Sequence, residues 1–263
     1  MITEYLKKGK CIWCLKEKPV VEFYTKPHTI VKSLGSTNIG FDICDTCNSF
    51  LGTNGNGSYA MSVELAFKEI VNVMKLLLSN NLNETTYKTF RSVYFDYFHS
   101  KRTLKFRNTF RFNNKFITDL TRQFKKGIYE VFLQEYHRCV EDGLADKFNT
   151  IRNFVRFDKG DLPLYFLHNN GVYLVDEQIG CPTFSFPEIV LSEINNFGFY
   201  QMYLFGTIFF LEVTPRSEYS REIYLKKESK EHIGSGFVYS ELRLMKYITD
   251  LDFTLRNLHQ KTK

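Results

Sequence analysis

The chain has 263 residues and a net charge of +6, from 35 Lys or Arg against 29 Asp or Glu, and 43% of it is hydrophobic. That hydrophobic share is enough for a real core, so the composition describes a globular protein of one large domain or two small ones. No apolar run reaches the length of a membrane span, and the first ten residues, MITEYLKKGK, lack the apolar stretch of a secretory signal, which predicts a cytoplasmic protein.

Taken in order, a polar and basic lead-in ends at Cys11, where the first of two Cys-x-x-Cys knuckles begins (Cys11 and Cys14). Two β-type runs follow, Val20 to Thr25 and His28 to Leu34, the second entering a loop at Gly35-Ser36-Thr37-Asn38. The second knuckle, Cys44 and Cys47, opens a short helix expected from Asp45 to Gly52. The turn-rich TNGNGS at 53–58 then makes a module boundary, which divides the chain into residues 1–58 and 59–263.

Beyond it, helical spacing of Val63, Leu65, Ala66, Ile70, Val71, Val73, Met74 and Leu77 predicts a helix over Met61 to Ser79, and a second is expected over Glu84 to His99. Leu104, Phe106, Phe110 and Phe112 alternate with Lys105, Arg107 and Arg111, a strand with one apolar and one cationic face. The period then changes, and a long helix is expected to about Val140, followed by a short one over Lys147 to Phe157. Asn170-Gly171 suits a hairpin turn within Leu164 to Val175. Further strands are expected over Ile189 to Ile194 and Phe199 to Val213, and a final amphipathic helix over Tyr239 to Leu258. The second region thus divides into a helical part (61–157), a strand-rich part (164–213) and a C-terminal helix (239–258), an α+β chain as a whole.

Each knuckle can aim two thiolates at one ion, and Cys11, Cys14, Cys44 and Cys47 together complete the closed tetrahedral shell of a structural zinc. Disulfides are disfavoured in a chain without a secretory signal. Cys139 and Cys181 stand alone and read as free thiols.

The succession Cys-x-x-Cys, His-x-Ile-x-Lys-Ser-Leu-Gly, Asn, Cys-x-x-Cys-Asn and Leu-Gly over residues 11–52 resembles the zinc-stapled branch of the HNH, or ββα-metal, endonucleases. That resemblance implies a small zinc-bound ββα-metal module followed by a mixed helix and strand domain. It casts His28 as the general base that activates water, and Asn38 as the loop residue that holds the His ring. Asn48 becomes a ligand of a catalytic Mg²⁺ or Mn²⁺, and the zinc is structural only. Two positions depart from the pattern: Pro27 stands where many members carry Asp or Glu, and Val31 replaces the usual Pro. Asp42, Asp45 and Glu22 are the candidates for the missing carboxylate. Against these roles stand plainer ones, with His28 a surplus zinc ligand or a strand residue and Asn48 a helix cap.

Residues 101–126 carry nine Lys or Arg against Asp119 alone, a net +8 that exceeds the charge of the whole chain. Lys105, Arg107, Arg111, Arg122, Lys125 and Lys126 are therefore the candidates for gripping a phosphate backbone, the alternative being a solvated face. The resemblance implies a metal-dependent endonuclease acting on DNA, with RNA as an alternative substrate, in restriction or anti-phage defence. Two other functions remain open: a non-catalytic nucleic-acid-binding zinc protein, or an adaptor whose aromatic-rich C-terminal region binds a protein partner or a second copy.

Overall fold

The computed structural model describes residues 3–53, 61–79, 90–98, 101, 103–109, 113–169, 182–233 and 240–251. Among them are six α-helices and two small antiparallel sheets, an α+β arrangement.

The fold is centred on α3 (Asn114–Val140). Its start is fixed locally, since the Asn113 side chain accepts the Phe116 N–H at 2.9 Å, and it ends where Glu141 turns left-handed at φ 61°. Between Leu120 and His137 every described residue except Arg122 is buried, so this helix is covered on nearly all sides. On one flank lies α2 (Val63–Ser79), held close at Gly127: a Cβ there would stand 2.6 Å from that of Phe67. The expected helices over 61–79, to Val140, and near 147–157 are present, the last as a 3-10 turn (Asp146–Phe148) leading into α4 (Asn149–Val155).

The other flank of α3 carries a four-stranded sheet of order β4 (Phe199–Leu204), β5 (Thr207–Glu212), β3 (Leu164–Asn169) and β6 (Ser240–Leu244). Strands β4 and β5 form a tight hairpin through Phe205 and Gly206, both at positive φ (42° and 80°). One sheet face meets α3 through Phe124 against Phe209 and Phe132 against Tyr200. The opposite face is covered by α6 (Ser217–Ile233), whose Tyr224 stacks on Phe199 with centroids 4.3 Å apart.

Five expected elements differ. Residues 95–98 form a strand, β1 (Phe95–Phe98), paired with β2 (Thr103–Phe106), where a helix over 84–99 was expected; residues 84–89 lie outside the described set. Residues 188–197 form a helix, α5 (Glu188–Phe197), closed by Gly198 at φ 75°, instead of a strand over 189–194, because a short apolar run fits either period and the chain is stopped here by a left-handed glycine. Residues 240–244 join the sheet as β6 and 248–250 make a 3-10 turn, so no helix runs through this stretch of 239–258. The runs at 20–25 and 28–34 form no ladder. Their apolar side chains Phe23, Ile30 and Leu34 anchor the core, while the backbone reaches single partners such as Tyr5 and Asp45. The hairpin arm and turn expected at 170–175 fall outside the described residues.

One continuous apolar core runs from Cys11 to Leu251. The expected boundary at 58 falls among residues that are not described, but residues before and after it share this core. The first knuckle is tied to α4 by Arg152, fully buried, whose Nε donates to Ile12 O at 2.7 Å while its other nitrogens reach Gly143 O and Ala145 O.

Candidate metal centre and its surroundings

The first knuckle is a tight turn, with Leu15 N–H donating to Cys11 O and Cys11 N–H to Lys16 O, both at 2.9 Å. The second begins at Cys44, which precedes α1 (Asp45–Gly52) as its N-cap and leaves Cys47 in the first turn, where the helix dipole favours negative sulfur. These two local structures converge. The four Sγ atoms lie within 4.8 Å of one another, and Cys14 Sγ stands 3.8 Å from Cys44 Sγ. An ion with Zn–S bonds of about 2.3 Å has tetrahedral edges of about 3.8 Å, whereas a disulfide needs about 2.05 Å. The four cysteines are unbridged and form a metal-binding cluster that fits zinc.

The four thiols are joined by mutual hydrogen bonds, which pull Cys14 and Cys44 down, Cys11 foremost, and push Cys11 and Cys47 up. Cys44 N–H also points at Cys11 Sγ at 3.4 Å. A cation between the sulfurs would replace the shared protons. Outside the cluster, Arg156 Nε donates to Cys47 Sγ at 3.2 Å, its guanidinium lying 4.2 Å over the Phe50 ring. Such a contact offsets the net negative charge of four thiolates and orients one of them.

His28 and Ile39 form an isolated antiparallel bridge, so the expected His sits on a two-stranded contact rather than on a true strand pair. Its ring is half-buried, and Nδ1 is enclosed with no hydrogen-bond partner among the described residues. Burial first, then the Lys26 and Lys32 cations, hold its imidazole below the ordinary value, which keeps it unprotonated near neutral pH. Asn38 donates from Nδ2 to Glu135 Oε1 at 3.1 Å. Asn48 lies half-buried on α1, one residue after Cys47. Among the described residues, the four cysteines are the only group of three or more His, Cys or acidic side chains within metal-binding reach.

The three candidates for a missing carboxylate have other engagements. Asp42 is fully buried and accepts the Lys7 and Lys8 backbone N–H groups at 2.9 Å, with His137 Nε2 2.9 Å from its Oδ2. Asp45 Oδ1 accepts Thr25 N–H at 2.8 Å, and Glu22 lies 3.8 Å from Lys18.

The six basic candidates do not share one exposed surface. Lys105 is exposed, its Nζ over the Phe98 ring, and Arg107 pairs with Asp96 at 3.0 Å. Arg111 lies outside the described residues. Arg122 and Lys126 converge on Asp158 at 2.8 and 2.6 Å, and Lys125 reaches Asp161 at 2.7 Å. Lys125 and Lys126 are buried, so their charges are neutralised from within the chain rather than presented to solvent. The cationic helix face expected from sequence is in this stretch an internal ion-pair network.

Sequence reasoning missed Arg152, Arg156, Glu135 and His137. Each acts across a long separation in the chain, and no local pattern marks it. No protein-family model, curated protein or solved structure matches the chain. The fold and site define an α+β protein with a four-cysteine metal centre, built from two knuckles and packed against a buried central helix.

Proposed function

We propose that this protein is a metal-dependent phosphodiester hydrolase of the HNH type, acting on DNA, with the four-cysteine centre holding a structural zinc. The observation that carries the reading is the placement of His28: a half-buried imidazole held unprotonated, on a loop bridged to Ile39, in the same small module as the cluster. In this reading His28 takes a proton from water as the water oxygen attacks phosphorus, the P–O bond to the leaving ester oxygen breaks, and that oxygen is protonated from solvent. Asn48, on the helix that follows the second knuckle, would contribute an oxygen to a Mg²⁺ or Mn²⁺ ion, which would supply Lewis-acid stabilisation of the phosphoryl oxygens. Substrate grip falls to Lys105 and Arg107 on the β1–β2 hairpin, the described members of the basic set outside the Asp158 and Asp161 network. Free thiols and the resemblance fit a cytoplasmic enzyme of restriction or antiviral defence.

A specific observation favours a second reading, a non-catalytic zinc module that binds nucleic acid or a protein. No acidic side chain joins His28 in a ligand group among the described residues, and Pro27 occupies the place of the usual acid. Incubation of the zinc-loaded protein with supercoiled plasmid and with RNA, in Mg²⁺, Mn²⁺ or EDTA, separates the two. The nuclease reading expects divalent-dependent cleavage that His28→Ala abolishes while zinc content stays the same. Cleavage that His28→Ala leaves unchanged, or salt-dependent binding with no cleavage, sinks it.

A further inference from the structure

Buried deep on α3, Glu135 is fully enclosed, yet it belongs to no catalytic motif and lies outside the cysteine module. Its Oε1 accepts the Asn38 Nδ2–H at 3.1 Å and the Thr29 hydroxyl, a short contact. Its Oε2 is held by Arg138, whose Nε and terminal nitrogen donate at 2.9 and 2.6 Å. The charge is therefore compensated on one side, and the other side is given wholly to two residues of the His28 loop.

Those two residues are not arbitrary. Thr29 follows His28 directly, and Asn38 precedes its bridge partner Ile39. Thr29 N–H also donates to Asn38 O at 3.3 Å, and Gly40 N–H to Pro27 O at 3.0 Å, so one carboxylate oxygen closes across both arms of the loop. The arms meet tightly at Gly40, where a Cβ would lie 2.8 Å from Ile43 and 3.3 Å from the Thr29 methyl. His28 needs such support, because no side-chain hydrogen bond fixes its Nδ1 among the described residues. The position of the ring is left to the backbone that carries it.

We infer that Glu135 is a positioning residue: by clamping Thr29 and Asn38 it sets where the His28 imidazole stands, placing the module's reactive group under the control of helix α3. The positioning role rests on the reading of His28 as the base; the clamp itself does not. In this inference Asn38 acts on the His loop through a carboxylate supplied more than ninety residues later. Misplacing a reacting group by about 1 Å costs roughly 100-fold in rate, so the clamp should be felt in turnover rather than in binding.

The test uses the full-length, zinc-loaded protein and two readouts. The first follows the His28 ring protons by NMR against pH. Wild type should titrate below the ordinary His value of about 6.5, because the ring is held half-buried beside Lys26 and Lys32. Glu135→Ala and Thr29→Val should each move the midpoint up toward it as the ring is released, while Thr29→Ser, which restores the hydroxyl, should return it. In the Glu135→Ala background, Thr29→Val should add nothing. The second readout is cleavage: kcat should fall roughly tenfold or more in Glu135→Ala and Thr29→Val, with KM within about twofold and recovery in Thr29→Ser. If Glu135→Ala fails to fold, because Arg138 loses its partner, the Val and Ser pair at Thr29 decides. An unchanged His28 titration in variants that retain zinc overturns the inference. Absence of cleavage in wild type, with the titration shifts present, overturns instead the nuclease reading and leaves the clamp in place.

Discussion

His137 Nε2 lies 2.9 Å from Asp42 Oδ2, joining the last turn of α3 to the residue two before the second knuckle, and both side chains are buried. Gly143 N–H donates to His137 Nδ1 at 3.1 Å, so the hydrogen on Nε2 is the one given to Asp42. Burial by itself would raise the Asp42 carboxyl. The His137 hydrogen bond and the Lys7 and Lys8 N–H groups together outweigh it and hold that carboxyl below its ordinary range.

His137→Leu should therefore cost about 2 kcal/mol, since it takes from the buried Asp42 Oδ2 one of its two donors, leaving the Lys8 N–H at 3.1 Å, and leaves the Gly143 N–H without its partner. Urea unfolding of the zinc-loaded protein measures it, and a loss under about 0.5 kcal/mol would show the pair to be dispensable. A lowered folded pKa stabilises at pH above the unfolded value, about 3.9, and that stability is lost as pH falls through the folded one. The gap between wild type and variant should thus persist at about pH 5 and close only in stronger acid.

Arg156 and Cys47 give a second test. Replacing the guanidinium by Arg156→Gln removes a cation 3.2 Å from a thiolate sulfur and should weaken zinc binding roughly tenfold or more. Arg156→Lys should recover part of the charge effect without the same directed donor. Competition with a colorimetric chelator reads this out, and equal zinc retention by all three proteins would remove Arg156 from the centre.

On the proposed reading of His28 as the base, a pH profile of cleavage follows. A base must be unprotonated, and burial with Lys26 and Lys32 nearby depresses its pKa, so the active form is already dominant at a lower pH than for an ordinary His. Rates should rise through a midpoint below about 6.5 and level off by about pH 7. A midpoint above 7 would mean that another group is titrating.

The cysteine spacing and the helix from Asp45 to Gly52 were legible because knuckles and a helix start are local chemistry, and the long apolar period to Val140 marks α3 directly. The helix at 217–233 was not, because apart from Tyr224 its buried residues include Ser217, Ser220 and Glu228, which make no apolar stripe. The run 189–194 was too short to separate strand from helix. The cationic stretch misled for a different reason. Asp158 and Asp161, more than thirty residues on, neutralise Arg122, Lys125 and Lys126, and no composition window spans that distance. The partners of the candidate site, Glu135 above all, are likewise set by tertiary packing alone.

Zinc content tests the central claim most directly, that two knuckles form one metal centre on which the N-terminal fold depends. Elemental analysis of protein purified without added metal should give about one zinc per chain. Cys11→Ser, Cys14→Ser, Cys44→Ser and Cys47→Ser combined should give none and should lose the cooperative melting of the wild type. A wild-type chain with four free thiols and no bound zinc, or a quadruple variant that melts as the wild type does, would contradict the account.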